Sequence, residues 1–185
     1  QRRLLFDSAR FADRHGFAAL WAPERHFHAF GGLSPNPSVM AAALAAVTER
    51  VRLRSGSVVV PLHHPARIVE EWSLVDVLSN GRVDLGIASG WFPNDFVLAP
   101  GTYERRSDLV FERAAELQRL WRGEPFDAVN PLGDSVCLRT MPRPIQAELP
   151  IWITAAGNPQ TFERAGTAGH HLLTHLLGQS LEALD

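Results

Sequence analysis

Residues 54–91 read strand, loop, helix, turn, strand, and that alternation restricts the chain to parallel α/β architectures. Val58, Val59 and Val60 form a β-branched run closed by Pro61. Pro65 opens a segment whose apolar residues Ile68, Val69, Trp72, Leu74, Val75 and Leu78 suit one helix face, and Asn80-Gly81 ends it. Val83 to Ala88 reads as a second buried strand, followed at once by Ser89-Gly90-Trp91. A small hydroxyl, a flexible backbone and a flat indole therefore gather at one strand mouth. In parallel α/β folds ligands sit outside the carboxyl ends of the strands, so chemistry is expected at that rim.

The same alternation runs to both sides. Arg2 to His15 predicts an amphipathic helix with Leu4, Leu5, Ala9 and Phe11 inward, closed by Gly16. Phe17 to Ala22 follows as a strand, with Pro23-Glu24-Arg25-His26-Phe27-His28 at its C-terminal end, and Ser38 to Glu49 as an alanine-rich helix. Beyond Trp91 an irregular loop leads to a helix over Glu104 to Trp121, striped by Leu109, Val110, Ala114, Leu117 and Leu120. Residues 122–147 form a Gly/Pro-rich excursion; Val136 to Thr140 suits a short strand that Pro142 and Pro144 keep out of a central sheet. Pro150 to Thr154, a helix over Gln160 to Gly166, and Leu172 to Thr174 complete five strands, read as one domain over residues 1–185. No strand pattern precedes the first helix, so the alternation is expected to lack its leading strand.

Composition removes several chemistries. The chain has 185 residues, is 45% hydrophobic and carries a formal charge of −2, a balance that does not point to nucleic acid. All 18 basic residues are arginine, so neither a lysine Schiff base nor the lysine of a P-loop is available. Arginines or backbone amides must hold any phosphate. Cys137 is the sole cysteine, which excludes intramolecular disulfides and thiolate zinc sites and points to a reducing cytoplasm. Neither a membrane-length apolar run nor a charged-then-apolar leader is read, so the expectation is a soluble, unprocessed cytoplasmic protein.

Four motifs carry a family resemblance: Trp21-Ala22-Pro23-Glu24-Arg25-His26-Phe27-His28 with Asn36-Pro37; Gly56 to Pro61 with His64-Pro65; Gly81 to Gly86 through Gly90-Trp91; and Pro150 to Ile153 with Gly157. In this order and spacing the chain resembles the bacterial luciferase-like flavin monooxygenases, above all the subgroup associated with polyketide and nonribosomal peptide biosynthesis. The resemblance implies a (β/α)8 TIM-type barrel, present here as an incomplete barrel without its first strand and last two β/α units. It also implies reduced FMN at the C-terminal rim, reacting with dioxygen to oxygenate a small-molecule or carrier-tethered substrate. A separate flavin reductase, and association as a homo-oligomer or within a larger chain, are further implied partners.

Residue by residue, the resemblance makes His26 the active-site histidine, exchanging protons at the flavin or substrate. It puts a non-prolyl cis peptide at Gly56-Ser57 beneath the ring, and Ala88, Ser89 and Trp91 beside it. Some luciferases carry cysteine and arginine where this chain has Ala88 and Ser89, which removes a cation and leaves Arg106, with Arg105 as neighbour, for the phosphate. Gly157, Asn158, Gln160 and Thr161 match the phosphate loop, where a helix N-terminus offers amides. Blander readings stand beside these. His26 and His28 also suit surface histidines, His63 and His64 suit caps or loop packing, and Trp91 suits the core, as do Trp72, Trp121 and Trp152. His170, His171 and His175 resemble a metal cluster only in composition.

Three other functions fit the same residues. A deazaflavin F420-dependent oxidoreductase shares the barrel. A metal-dependent barrel hydrolase would draw on His26, His28, His64 and Asp84. A noncatalytic fragment or interaction module is the third, because an intact barrel takes about 250 residues and an unclosed parallel sheet leaves edges to be paired.

Overall fold

The computed structural model describes residues 1–30, 32–175 and 177. Helix α1 (Arg2–Arg14) leads into strand β1 (Ala19–Ala22), α2 (Pro37–Ala45), β2 (Arg52–Ser55), β3 (Val58–Val59), α3 (Pro65–Ser79) and β4 (Val83–Ala88). Helix α4 (Arg106–Arg122), the strands β5 (Phe126–Val129) and β6 (Ser135–Leu138), β7 (Ile151–Thr154), α5 (Pro159–Thr167) and β8 (His171–Leu173) follow. The main sheet runs β1-β2-β4-β7-β8, parallel throughout, and β3 continues β2 to pair with β4 at Val58↔Ile87 and Val59↔Ala88. Five strand positions alternate with helices, as the sequence predicts, and among the described residues the sheet does not close.

Helix ends follow local chemistry. Asn36 caps α2 by accepting from the Ser38 and Val39 amides, with Pro37 at the first helical position, where no amide is needed. Asn80, at φ 58°, ends α3 in the left-handed region, and Gly16, at φ 76°, turns the chain out of α1.

Alternate strand residues face opposite layers. Leu53, Val83, Leu85, Ile87, Ile151 and Ile153 join Val69, Trp72, Leu117 and Trp121 in one core between sheet and helices. Each fully buried aliphatic or aromatic side chain there contributes roughly 1.5–3 kcal/mol. The inner face is different: Trp21, Arg54, Asp84, Trp152 and His171 line it, with Trp152 stacked on His171 and edge-on to Trp21.

The far end of the sheet is pinned by polar clamps. Buried Arg82 donates to the carbonyls of Ser79, Thr48 and Val51 and to Thr48 Oγ1, so the Gly81-Arg82 motif joins two helix-to-strand loops. Asp13 accepts from the amides of Glu49, Arg50 and Val51, and Asp76 from those of Ile145 and Gln146.

Several sequence expectations change. In α1 the buried residues are Ala9 and Ala12; Leu4 and Phe11 are exposed, Phe11 stacking on His15 instead. Leu74 and Leu78 also face outward. Trp152 belongs to the inner face rather than the helix-side core, because its strand position alternates with Ile151 and Ile153. The excursion holds an antiparallel hairpin, β5 with β6, apart from the main sheet; Phe126–Val129 has no period-2 signal of its own. Among the described residues, no helix is long and apolar enough to cross a membrane.

Candidate active site

Because every strand of the main sheet is parallel, the segments after β1, β3, β4 and β7 emerge at one end. Cross-strand bonds tie them together. The Gly56 amide donates to the Ala22 carbonyl at 2.7 Å, the Ser57 hydroxyl bonds that of Thr154, and Val59 pairs with Ala88. The Gly56-Ser57 peptide is cis, as the resemblance implies. Gly56, Ser57, Ala88, Ser89 and Gly90 therefore form a run of small residues across adjoining strand ends. A Cβ on Gly90, itself at φ 80°, would meet Val59 Cγ1 at 2.7 Å. Nothing larger than glycine fits that turn.

At the end of β1 lies a hydrogen-bonded hub. The Glu24 side chain is wholly buried; its Oε1 accepts from His26 Nε2 at 2.7 Å and His63 Nε2 at 2.6 Å, and its Oε2 from the Val59 amide at 2.8 Å. Three donors compensate a carboxylate that burial would otherwise penalise. The loop is built for this. Ser34 donates to the Pro23 carbonyl and accepts, through its own carbonyl, from Arg25; Phe27, at φ 57°, reverses the chain directly after His26. That left-handed conformation is uncommon for a bulky residue. A 3₁₀ turn over Val60–Leu62 delivers His63 from the other side. Burial disfavours the charged form of His63, but the bond to Glu24 and the charges of Glu24 and Glu71 outweigh it and raise its pKa above 6.5.

Sequence reasoning assigned no role to Glu24 and left His63 between a cap or loop residue and a direct chemical role. The available signal was that Glu24 is the sole acid between Phe17 and Asn36, directly after a strand. Only the fold brings it to His63.

Glu24, His26 and His63 also present one donor atom each within 4.8 Å of one another, the group among the described residues that could hold a metal ion. Their spacing, however, is that of hydrogen bonds centred on one oxygen; ligands around a zinc ion at about 2.0–2.1 Å stand roughly 3 Å apart. The hydrolase quartet is not assembled. His28 packs on Phe92, His64 caps α3 by accepting from the Ala66 amide, and Asp84 pairs with Arg52 and Arg54 on the inner face.

The remaining candidates divide. Trp91 is 67% exposed at the rim, beside Phe92 and with Arg25 at 5.7 Å, so it is no core residue. Arg105 ion-pairs with Glu112, whereas Arg106 lies over the Tyr103 ring and donates to its carbonyl, with no carboxylate partner among the described residues. Arg106 is thus the guanidinium of the two left for an anion. At α5 the first-turn amides are already engaged: Pro159 has none, Gln160 donates to Asn158 Oδ1 and Thr161 to the Asn158 carbonyl. The expected row of open amides is therefore reduced to those of Gly157 and Asn158, with the Thr161 hydroxyl. Arg164 reaches Asp108 at 3.3 Å and covers Phe111, tying α5 to the start of α4.

The family model described as luciferase-like monooxygenase matches residues 3–184. The oxygenase component of a flavin-dependent trigonelline monooxygenase from Acinetobacter baylyi is 31% identical over 186 residues, covering 97% of this chain and 51% of that protein. Crystalline monooxygenase RslO1 from Streptomyces bottropensis superposes with a TM-score of 0.78 at 30% identity, over 92% of this chain and 52% of that one. The FMN complex of the oxygenating constituent of 3,6-diketocamphane monooxygenase, from Pseudomonas putida, gives 0.77 at 20% identity, over 93% and 51%, a likeness of fold. The chain spans about half the length of the curated relatives it matches.

Proposed function

The chain belongs to the luciferase-like monooxygenase family, and on that premise we propose that its strand tips form the flavin side of an oxygenase acting on a small organic molecule. One observation carries the reading: a run of small residues, Gly56, Ser57, Ala88 and Ser89, adjoins a histidine held by a buried carboxylate at the same sheet end. A flat aromatic ring fits such a floor, and the Arg106 guanidinium, which has no carboxylate partner among the described residues, suits a phosphate. When bound, reduced FMN supplies the electrons that activate dioxygen.

The protein's part is to bind, orient and manage protons. Ser57 and Ala88 support the ring, with Ser89 and Trp91 at its margin. Arg106, Gly157, Asn158 and Thr161 take the phosphate, and His26 holds or releases a proton beside the reacting centre. The trigonelline relative is an oxygenase component by name, which supports a separate reductase as the source of reduced FMN. Titration with oxidised and then reduced FMN, followed by flavin absorbance and fluorescence, tests the proposal. A saturable spectral change supports it; folded protein that leaves the flavin spectrum untouched removes it. Deazaflavin F420 titrated in parallel decides between the two flavins.

A further inference from the structure

We propose that Glu24 is a positioning residue that holds His26 as its Nε2–H tautomer, leaving Nδ1 as the ring atom that exchanges protons. The proposal deepens the oxygenase reading and rests on His26 being the proton-handling residue. Its physical basis is simple. An ionised carboxylate only accepts hydrogen bonds, so both imidazole nitrogens facing Glu24 Oε1, at 2.7 and 2.6 Å, must carry hydrogens. With the Nε2 proton of His26 committed to Glu24, the lone pair of the neutral ring lies on Nδ1. Glu24 cannot swing away, because its other oxygen is fixed by the Val59 amide and its side chain is wholly buried. The tautomer is thus set by backbone geometry.

His63 is the second donor to that carboxylate. It shares the same carboxylate oxygen but keeps 32% of its side chain exposed, against 12% for His26. A cavity of about 60 Å³ beside Glu24 and His63, walled by Asn36, Arg67, Glu71 and Trp72, gives His63 its own approach from solvent. The charged groups facing this pair are few. Glu71 on α3 is paired with Arg67 at 2.8 Å, and Arg25, next to His26, is turned toward Trp91. Both imidazoles thus donate to one oxygen of Glu24, and His63 is the one that solvent reaches more.

Ring nitrogens report this directly. The full chain, labelled with ¹⁵N in its histidines and assigned through His26→Gln and His63→Gln, is followed by long-range ¹H–¹⁵N correlation across a pH titration without flavin. In the wild type the Nε2–H form of His26 exceeds the other neutral tautomer by about tenfold or more, the preference a charge-assisted bond sustains. Glu24→Gln abolishes the preference, and Glu24→Asp restores part of it. His63→Gln keeps the tautomer, because the His26 bond to Glu24 remains. A wild-type His26 carrying its neutral-form hydrogen on Nδ1 overturns the proposal, even if no Glu24 variant folds, as does a preference that survives in folded Glu24→Gln. Because no flavin enters the measurement, a failure of FMN to bind defeats the oxygenase reading while leaving this result standing.

Discussion

Asp84 accepts a hydrogen bond from Arg54 at 2.5 Å, while the Arg54 guanidinium lies 4.3 Å from the centroid of the Trp152 ring. Asp84 also holds Arg52, so one buried carboxylate answers two guanidinium groups on the inner face of the sheet. Removing it leaves both cations against low-dielectric surroundings. Asp84→Asn is expected to destabilise the fold by about 3 kcal/mol, the low end for a broken buried pair, since Arg52 keeps a third of its side chain in solvent. Urea unfolding checks this, and Asp84→Asn combined with Arg54→Met is expected to recover part of the loss.

The phosphate assignment predicts unequal roles for neighbouring arginines. Arg106 has no acidic partner among the described residues, and Arg105 has Glu112. Arg106→Met is therefore expected to weaken FMN binding roughly 10- to 100-fold, the worth of one charge-assisted hydrogen bond, and to leave riboflavin binding nearly unchanged. Arg105→Met is expected to change either by less than about threefold. Fluorescence titration with both flavins measures the difference.

His63 makes stability depend on pH with a definite sign. Its pKa in the folded protein lies above 6.5, since the bond to Glu24 and the acidic charges around it outweigh burial. The stabilisation is fully present below the unfolded value and is lost as pH rises through the raised folded one. His170 works oppositely: burial, with His171 adding to it, holds its pKa below 6.5, so its contribution is full above that value and lost as pH falls. The difference between wild type and His63→Gln isolates the first effect. The gap in urea midpoint is expected to be widest below about pH 6 and to narrow steadily on the alkaline side. A gap constant with pH contradicts the pairing.

Acid unfolding has a separate origin in Asp13. Although burial acts against its charged form, the amides of Val51, Arg50 and Glu49 and the charge of Arg50 hold its pKa below 3.8. The stability it lends is present above the unfolded carboxylate value and is lost as pH falls through the folded one. Asp13→Asn is expected to flatten the acid limb of the stability profile while leaving the alkaline limb as it was, as urea midpoints across pH will show.

Much of the fold was legible because burial on both faces of a strand leaves an apolar run that length and punctuation identify. Val83 to Ala88 is β4 to the residue, and the stripe Leu109, Val110, Ala114, Leu117 and Leu120 is the buried side of α4. Where hydrophobicity and position conflict, the sequence misleads. Phe11 reads as core yet stacks on His15 outside, while α1 buries Ala9 and Ala12 and packs Leu5 and Phe6 half-buried against the core. The site divides the same way. Local motifs located His26, Ser57 and Ala88 at strand ends, but the Glu24 hub joins residues 35 and 39 positions apart, a relation no local pattern encodes. The engaged amides of α5 depend on how Asn158 folds back, which is equally invisible in composition.

The central claim is that the segments carrying His26, Ser57, Ser89 and Gly157 face one bound flavin. Amide chemical-shift mapping of the full chain during titration with FMN tests it most directly. The account predicts saturable shifts at those four positions and at Arg106, with Asp13, Arg50 and Arg82 at the opposite end unmoved. Shifts centred on that opposite end, or an unchanged spectrum at saturating FMN, would contradict it.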